Sequence, residues 1–111
     1  MKTDDILKRA YDSNAALYRA FGLYPSQVRT AGRMLDEEAG ELRDGLAAGD
    51  DPLSIGSEIA DVLYTLMGVV HACGYTLEEI ANFVESKCAV NDDKRPETGW
   101  GLNAKGKIVQ R

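Results

Sequence analysis

Cysteine and histidine are scarce in this chain of 111 residues, with two of the first and one of the second. Cys73 and Cys88 lack the paired spacing of a thiolate metal site, which suits a reducing compartment, and both are expected to be packing residues. His71 has no second histidine to join, so a satisfied or edge-exposed imidazole is expected there. Positive charge is not in excess: 13 Lys and Arg against 18 Asp and Glu give a net charge of −5, which disfavours a protein built to grip a nucleic-acid backbone. No apolar run looks long enough to cross a bilayer, and no basic segment leads into an apolar stretch at the start. Repeats, low-complexity segments and linkers are missing as well. The expectation is one soluble cytoplasmic domain spanning residues 1–111, with no membrane partner and no stable nucleic-acid binding. Its 44% hydrophobic content is enough for a single core.

What the chain does have is acids in register. Glu38 and Glu41 are three residues apart, as are Glu58 and Asp61, so each pair projects from one face of a helix and can converge on a shared cation. Glu37 widens the first cluster, and the three glutamates span roughly 100° of arc. On the same helix Val28, Ala31, Leu35, Ala39, Leu42 and Leu46 form an apolar stripe, with Glu38 and Glu41 along its edge. Glu58 and Asp61 lead into Val62-Leu63-Tyr64-Thr65-Leu66-Met67-Gly68-Val69-Val70, which has almost no polar face and is expected to be buried. Carboxylates at the entrance to a buried helix cost several kcal/mol unless a cation or strong donors compensate them. A hard divalent ion answers that need, Mg²⁺ best, with Mn²⁺ able to substitute. Set against this is a solvated glutamate-rich face with Arg33 or Arg43 as helical neighbours, a reading open to Glu37–Glu41 but not to Glu58 and Asp61.

Punctuation along the chain predicts four helices and a tail. The first runs from about Asp4 to Phe21 and stops at Gly22. Pro25 and Ser26 open the second, which ends near Gly49. Asp51 and Pro52 supply a cap and a first-turn proline for the third, which ends at Gly74. Thr76 and Glu79 form a capping box for the fourth, Leu77 to about Asn91. Pro96, Gly99 and Gly101 break the helical pattern, leaving an extended or loosely ordered tail from about 97 to 111. The fold class is therefore all-α, a four-helix bundle. Because the third helix is apolar in every direction, part of it is expected to meet another copy, giving a homodimer or homotetramer.

Across the end of the fourth helix, Lys87 and Asn91 share a face, and Lys94 and Arg95 follow. Three cations and an amide in nine residues can hold polyphosphate oxygens. They also suit the helix dipole at a C-terminus without any ligand.

EExxE at Glu37–Glu41, ExxD at Glu58–Asp61 and KxxxNxxKxP at Lys87–Pro96 resemble, in order, the motifs of the MazG-like all-α nucleoside triphosphate pyrophosphohydrolases. That superfamily includes dimeric dUTPases, dCTP pyrophosphatases and phosphoribosyl-ATP pyrophosphohydrolase. Gly106-Lys107-Ile108-Val109 is similar to the ends of small phage and bacterial members. The resemblance implies a Mg²⁺-dependent hydrolase that converts a nucleoside triphosphate, more often a deoxynucleotide, to monophosphate and pyrophosphate, as in nucleotide-pool house-cleaning. By position, Glu38, Glu41, Glu58 and Asp61 correspond to metal ligands, with Glu37 taking a further metal or orienting the attacking water. Lys87, Lys94 and Arg95 correspond to phosphate binders, and Asn91 to a nucleotide contact. Tyr18, Phe21 and Tyr24 are candidates for stacking on a base or, equally, for core and loop anchoring. Paired tryptophans associated with dCTP preference are missing. Two rival readings remain: a non-catalytic helical homo-oligomeric interaction module, and a di-iron carboxylate bundle, which normally needs ExxH motifs.

Overall fold

The computed structural model describes residues 5–22 and 28–111. The helix starts expected at Asp4 and at Pro25–Ser26, and the aromatic Tyr24, lie outside the described residues. Four helices follow in order: α1 (Ile6–Ala20), α2 (Val28–Ala48), α3 (Pro52–Ala72) and α4 (Leu77–Asp92). A 3₁₀ turn at Pro96–Thr98 then leads into strands β1 (Trp100–Leu102) and β2 (Ile108–Gln110).

Local chemistry accounts for the boundaries. Asp51 accepts a hydrogen bond from the Ser54 amide at 3.0 Å while Pro52 occupies the first turn of α3, which satisfies one orphan donor and omits another. At the other end Gly74 adopts φ +79°, a left-handed conformation that costs other residues, and the Gly74 and Tyr75 amides return to His71 and Val70 carbonyls.

The chain divides into two compact units, Met1–Leu77 and Glu78–Arg111. In the first, α3 packs against both α1 and α2. Tyr18, Ala31 and Ala72 form the buried cluster with Val69 against it, and Met67 and Val70 are also buried. His71 is half-buried between two tyrosines, edge-on to Tyr11 and tilted against Tyr18 with both centroid distances 5.8 Å. Tyr18 is thus a core aromatic, whereas Phe21 is exposed.

One polar side chain enters this core. Asn14 is buried on α1 and donates from Nδ2 to the Tyr64 carbonyl at 3.0 Å, while Ser13 Oγ and the Tyr64 hydroxyl lie 3.1 Å apart. The side chain fits because residue 68 is glycine: a Cβ there would stand 2.8 Å from Asn14 Oδ1 and 3.0 Å from Nδ2. Gly68→Ala is expected to destabilise the fold by about 1–3 kcal/mol, the usual range for overpacking a site that cannot relax. Urea unfolding measures this, and a midpoint unchanged from the parent protein would show that Asn14 moves aside freely.

Several expectations are corrected. α3 is not buried all round: Leu53, Ile59, Leu63 and Leu66 are exposed, because one helix on each side covers only part of a cylinder. By length and composition alone α3 is also apolar enough to cross a bilayer, contrary to the expectation that no run is. It packs against α1 and α2, and it carries the acids Glu58 and Asp61, which a membrane span would hold only at a cost. The α2 stripe is buried only in part: Ala31 is enclosed, Leu35 and Leu42 are half-buried, and Val28, Ala39 and Leu46 are exposed. Cys73 and Cys88 do not pack and are both exposed. Cys73 stands at the C-cap of α3, where the chain leaves the core, and Cys88 is on α4, which has no buried residue.

In the second unit the tail is more ordered than expected. β1 and β2 pair antiparallel, with Trp100 opposite Gln110, Gly101 opposite Val109 and Leu102 opposite Ile108. Asn103 closes the turn, its Oδ1 accepting from the Lys105 amide at 3.0 Å and the Lys107 amide at 2.9 Å, with Gly106 at φ +80°.

Candidate functional site

α2 and α3 bring three of the expected acids together. Glu38, Glu58 and Asp61 each offer a carboxylate oxygen, and these oxygens all lie within 4.8 Å of one another. Glu38 and Glu58 are half-buried and Asp61 is exposed, so the cluster opens to solvent on the Asp61 side. Asp61 is therefore less enclosed than its place on an apolar helix implies. Glu41 is exposed yet close enough for its charge to act on both Glu38 and Glu58. Glu37 is exposed on α2.

The electrostatics are those of an uncompensated cluster. Loss of water contact, followed by the charges of Glu41 and Asp61, pushes Glu38 and Glu58 above the ordinary carboxyl value. One oxygen of each, Oε2, is buried without a hydrogen-bond partner among the described residues. A buried carboxylate oxygen with no donor is costly, and a cation held by Glu38 and Glu58 would offset that cost. The surface alternative finds no support in the ion pairing of Arg43, whose guanidinium lies 3.2 Å from Asp44.

A further contributor, Asp50, is missed by sequence reasoning. Its charge reaches Glu58, and it sits where buried Gly45 leaves space: a Cβ on residue 45 would be 3.1 Å from Asp50 Oδ2. The doublet Asp50-Asp51 ahead of Pro52 is the available signal, but only Asp51 is needed for the cap.

The basic residues belong to the second unit. Lys87 and Asn91 are exposed on α4. Lys94 and Arg95 come together on the wall of a cleft of about 160 Å³ that Pro96, Trp100, Gly101, Leu102 and Ile108 complete.

Four helices in this order form the fold of the MazG-like all-α nucleoside triphosphate pyrophosphohydrolases, hydrolases of phosphoric anhydride bonds. A family model described as phosphoribosyl-ATP pyrophosphohydrolase matches residues 19–88, and the chain belongs to that family. Comparison with curated proteins and with solved structures gives no match. Membership implies a nucleotide substrate, and the triad of Glu38, Glu58 and Asp61 offers a place for a metal ion.

Proposed function

We propose that the protein is a Mg²⁺-dependent pyrophosphohydrolase that cleaves a nucleoside triphosphate chain to the monophosphate and pyrophosphate, with Glu38, Glu41, Glu58 and Asp61 as the metal-binding set. The observation that carries the reading is the pair of buried, partnerless oxygens on Glu38 and Glu58 within a three-carboxylate cluster, in a chain of this family. Hard oxygen donors from a few carboxylates, with open positions for water and phosphate, match the preference of Mg²⁺. When bound, such an ion polarises phosphoryl oxygens and lowers the pKa of coordinated water. Glu38 from α2 and Glu58 and Asp61 from α3 would hold that positive charge where the cluster opens to solvent at Asp61. Glu37, outside the triad, orients the attacking water or helps hold a further cation. Lys87, Lys94 and Arg95 neutralise phosphate charge, and Asn91 contacts the nucleotide.

Phosphoribosyl-ATP, named in the family description, and the common (d)NTPs share the anhydride that this chemistry breaks. Turnover of a panel containing phosphoribosyl-ATP and the ribo- and deoxynucleoside triphosphates, with Mg²⁺ or Mn²⁺, is expected to release pyrophosphate as first product from at least one member. Orthophosphate as first product would contradict the proposed bond cleavage. Folded protein inert on the whole panel would favour the non-catalytic interaction module.

Self-association belongs to the same proposal. Ile59, Leu63 and Leu66 lie at i, i+4 and i+7 on α3 and are exposed in the single chain, a stripe that a second copy would cover. Light scattering at micromolar concentration is expected to give a dimer or tetramer mass, and a clean monomer would overturn this half of the reading.

A further inference from the structure

The cleft in the second unit combines features that the acidic cluster does not explain. Its walls are apolar at Pro96, Trp100, Leu102 and Ile108 and cationic at Lys94 and Arg95. The Lys94 ammonium lies over the Trp100 ring, 4.9 Å from its centre, so it covers part of that indole face and an anion held by Lys94 places its next group beside the indole. The walls are fixed by backbone: the Trp100 amide donates to the Arg95 carbonyl at 3.1 Å, the Arg95 amide to Thr98 Oγ1 at 3.1 Å, and the Arg111 amide to the Gly99 carbonyl at 2.8 Å. Charge is segregated here as well. Residues 94–111 carry five Lys and Arg against the single acid Glu97, a net charge of +4 in a chain of −5, and Glu97 Oε2 lies 3.6 Å from Arg95 Nε in an exposed pair that a phosphate would displace.

A site with an aromatic wall, aliphatic walls and paired cations selects a ligand that joins a flat heterocycle to an anion. We propose that this cleft is a nucleotide-binding site, with the base against Trp100, Leu102 and Ile108 and the phosphate on Lys94 and Arg95. The resemblance gives phosphate roles to the two cations; Trp100, Leu102 and Ile108, which like Lys94 and Arg95 lie beyond the matched residues 19–88, add a base-binding surface to which the resemblance gives no role. The choice of a nucleotide as ligand rests on the proposed hydrolase function, while the binding itself is independent of metal and turnover. A cleft of about 160 Å³ accommodates one small group rather than a track of successive bases, which favours a mononucleotide over a polynucleotide.

Trp100 is the only tryptophan, so its fluorescence reports on this cleft alone. The test titrates the full chain in EDTA with ATP, AMP, adenosine and inorganic pyrophosphate. ATP and AMP are expected to change the emission saturably, and adenosine and pyrophosphate to do so much more weakly. Lys94→Ala and Arg95→Ala should each weaken ATP binding by about tenfold or more, the usual weight of a hydrogen bond to a charged group. Leu102→Ala should weaken ATP and AMP while leaving the weak response to pyrophosphate alone. An unchanged emission at millimolar ATP with intact helical content would overturn the site. So would pyrophosphate matching ATP, which would mark a bare anion site, or an oligodeoxynucleotide binding far more tightly than ATP and losing that advantage in salt, which would mark a nucleic-acid surface. Calorimetry on Trp100→Leu separates the indole from its neighbours: retained ATP affinity in that variant would remove the proposed base wall. Failure of these titrations with pyrophosphate release intact would reject the cleft and leave the hydrolase reading standing.

Discussion

Asp61→Asn is expected to lower turnover by about a hundredfold or more, the loss seen when one member of a preorganised charge-stabilising set is removed, while helical content is retained. Asp61 is the most exposed of the three clustered acids and makes no contribution to the buried core, so the side chain can lose its charge without leaving a cavity. Asn keeps the shape and one carbonyl oxygen but not the negative charge that would hold a divalent ion beside Glu38 and Glu58. Because the carboxylates act as a unit, Asp61→Asn combined with Glu58→Gln should cost little more than the worse single variant. Glu78→Gln, exposed at the start of α4 and outside every proposed site, should leave turnover unchanged. Steady-state pyrophosphate release alongside circular dichroism checks both halves. Parent-like turnover by a well-folded Asp61→Asn would remove this residue from the metal-binding set.

Mg²⁺ is expected to raise Tm, and the rise should depend on Glu58. A ligand that binds only the folded state stabilises by about 2.7 kcal/mol when its free concentration is 100-fold above Kd. The same carboxylates give the effect a pH dependence. Glu38 and Glu58 are raised above the ordinary carboxyl value of 4.5, mainly by removal from water and then by Glu41 and Asp61. Between that value and their raised ones the folded protein holds more protons than the unfolded chain, so metal-free stability falls as pH rises through the interval. Mg²⁺ competes with those protons, so its contribution to Tm should be small at about pH 4 and grow toward neutrality. Glu58→Gln removes a charge that the metal-free fold must otherwise tolerate. That variant should therefore match or exceed the parent's stability in EDTA yet gain little from Mg²⁺. Melting curves with and without Mg²⁺ across this range test the linkage. A Mg²⁺ shift independent of pH, or one preserved in Glu58→Gln, would contradict the proposed ligands.

The sequence by itself determined the helices and the pairing of the acids. Gly22, Gly49 and Gly74 end helices, all three at positive φ, and Asp51 with Pro52 starts one, because these signals act over four residues or fewer through φ restriction and capping bonds. Three-residue spacing likewise placed Glu38 with Glu41, and Glu58 with Asp61, whatever the rest of the chain does. Tertiary structure alone decided what those pairs meet. The packing of α2 on α3 brings Glu38 to Glu58, leaves an oxygen of each buried without a donor, and admits Asp50 beside Gly45. Tyr18 is buried and Phe21 exposed, and both cysteines are exposed, none of which residue type alone decided. In the tail, Asn103 and Gly106 carried a turn signal, yet the cleft exists only once β1 and β2 pair and the backbone of Arg95 holds Trp100 beside Lys94. Residue spacing sets direction along one helix, whereas convergence between helices depends on axis position and rotation, which the hydrogen bonds inside a single helix do not specify.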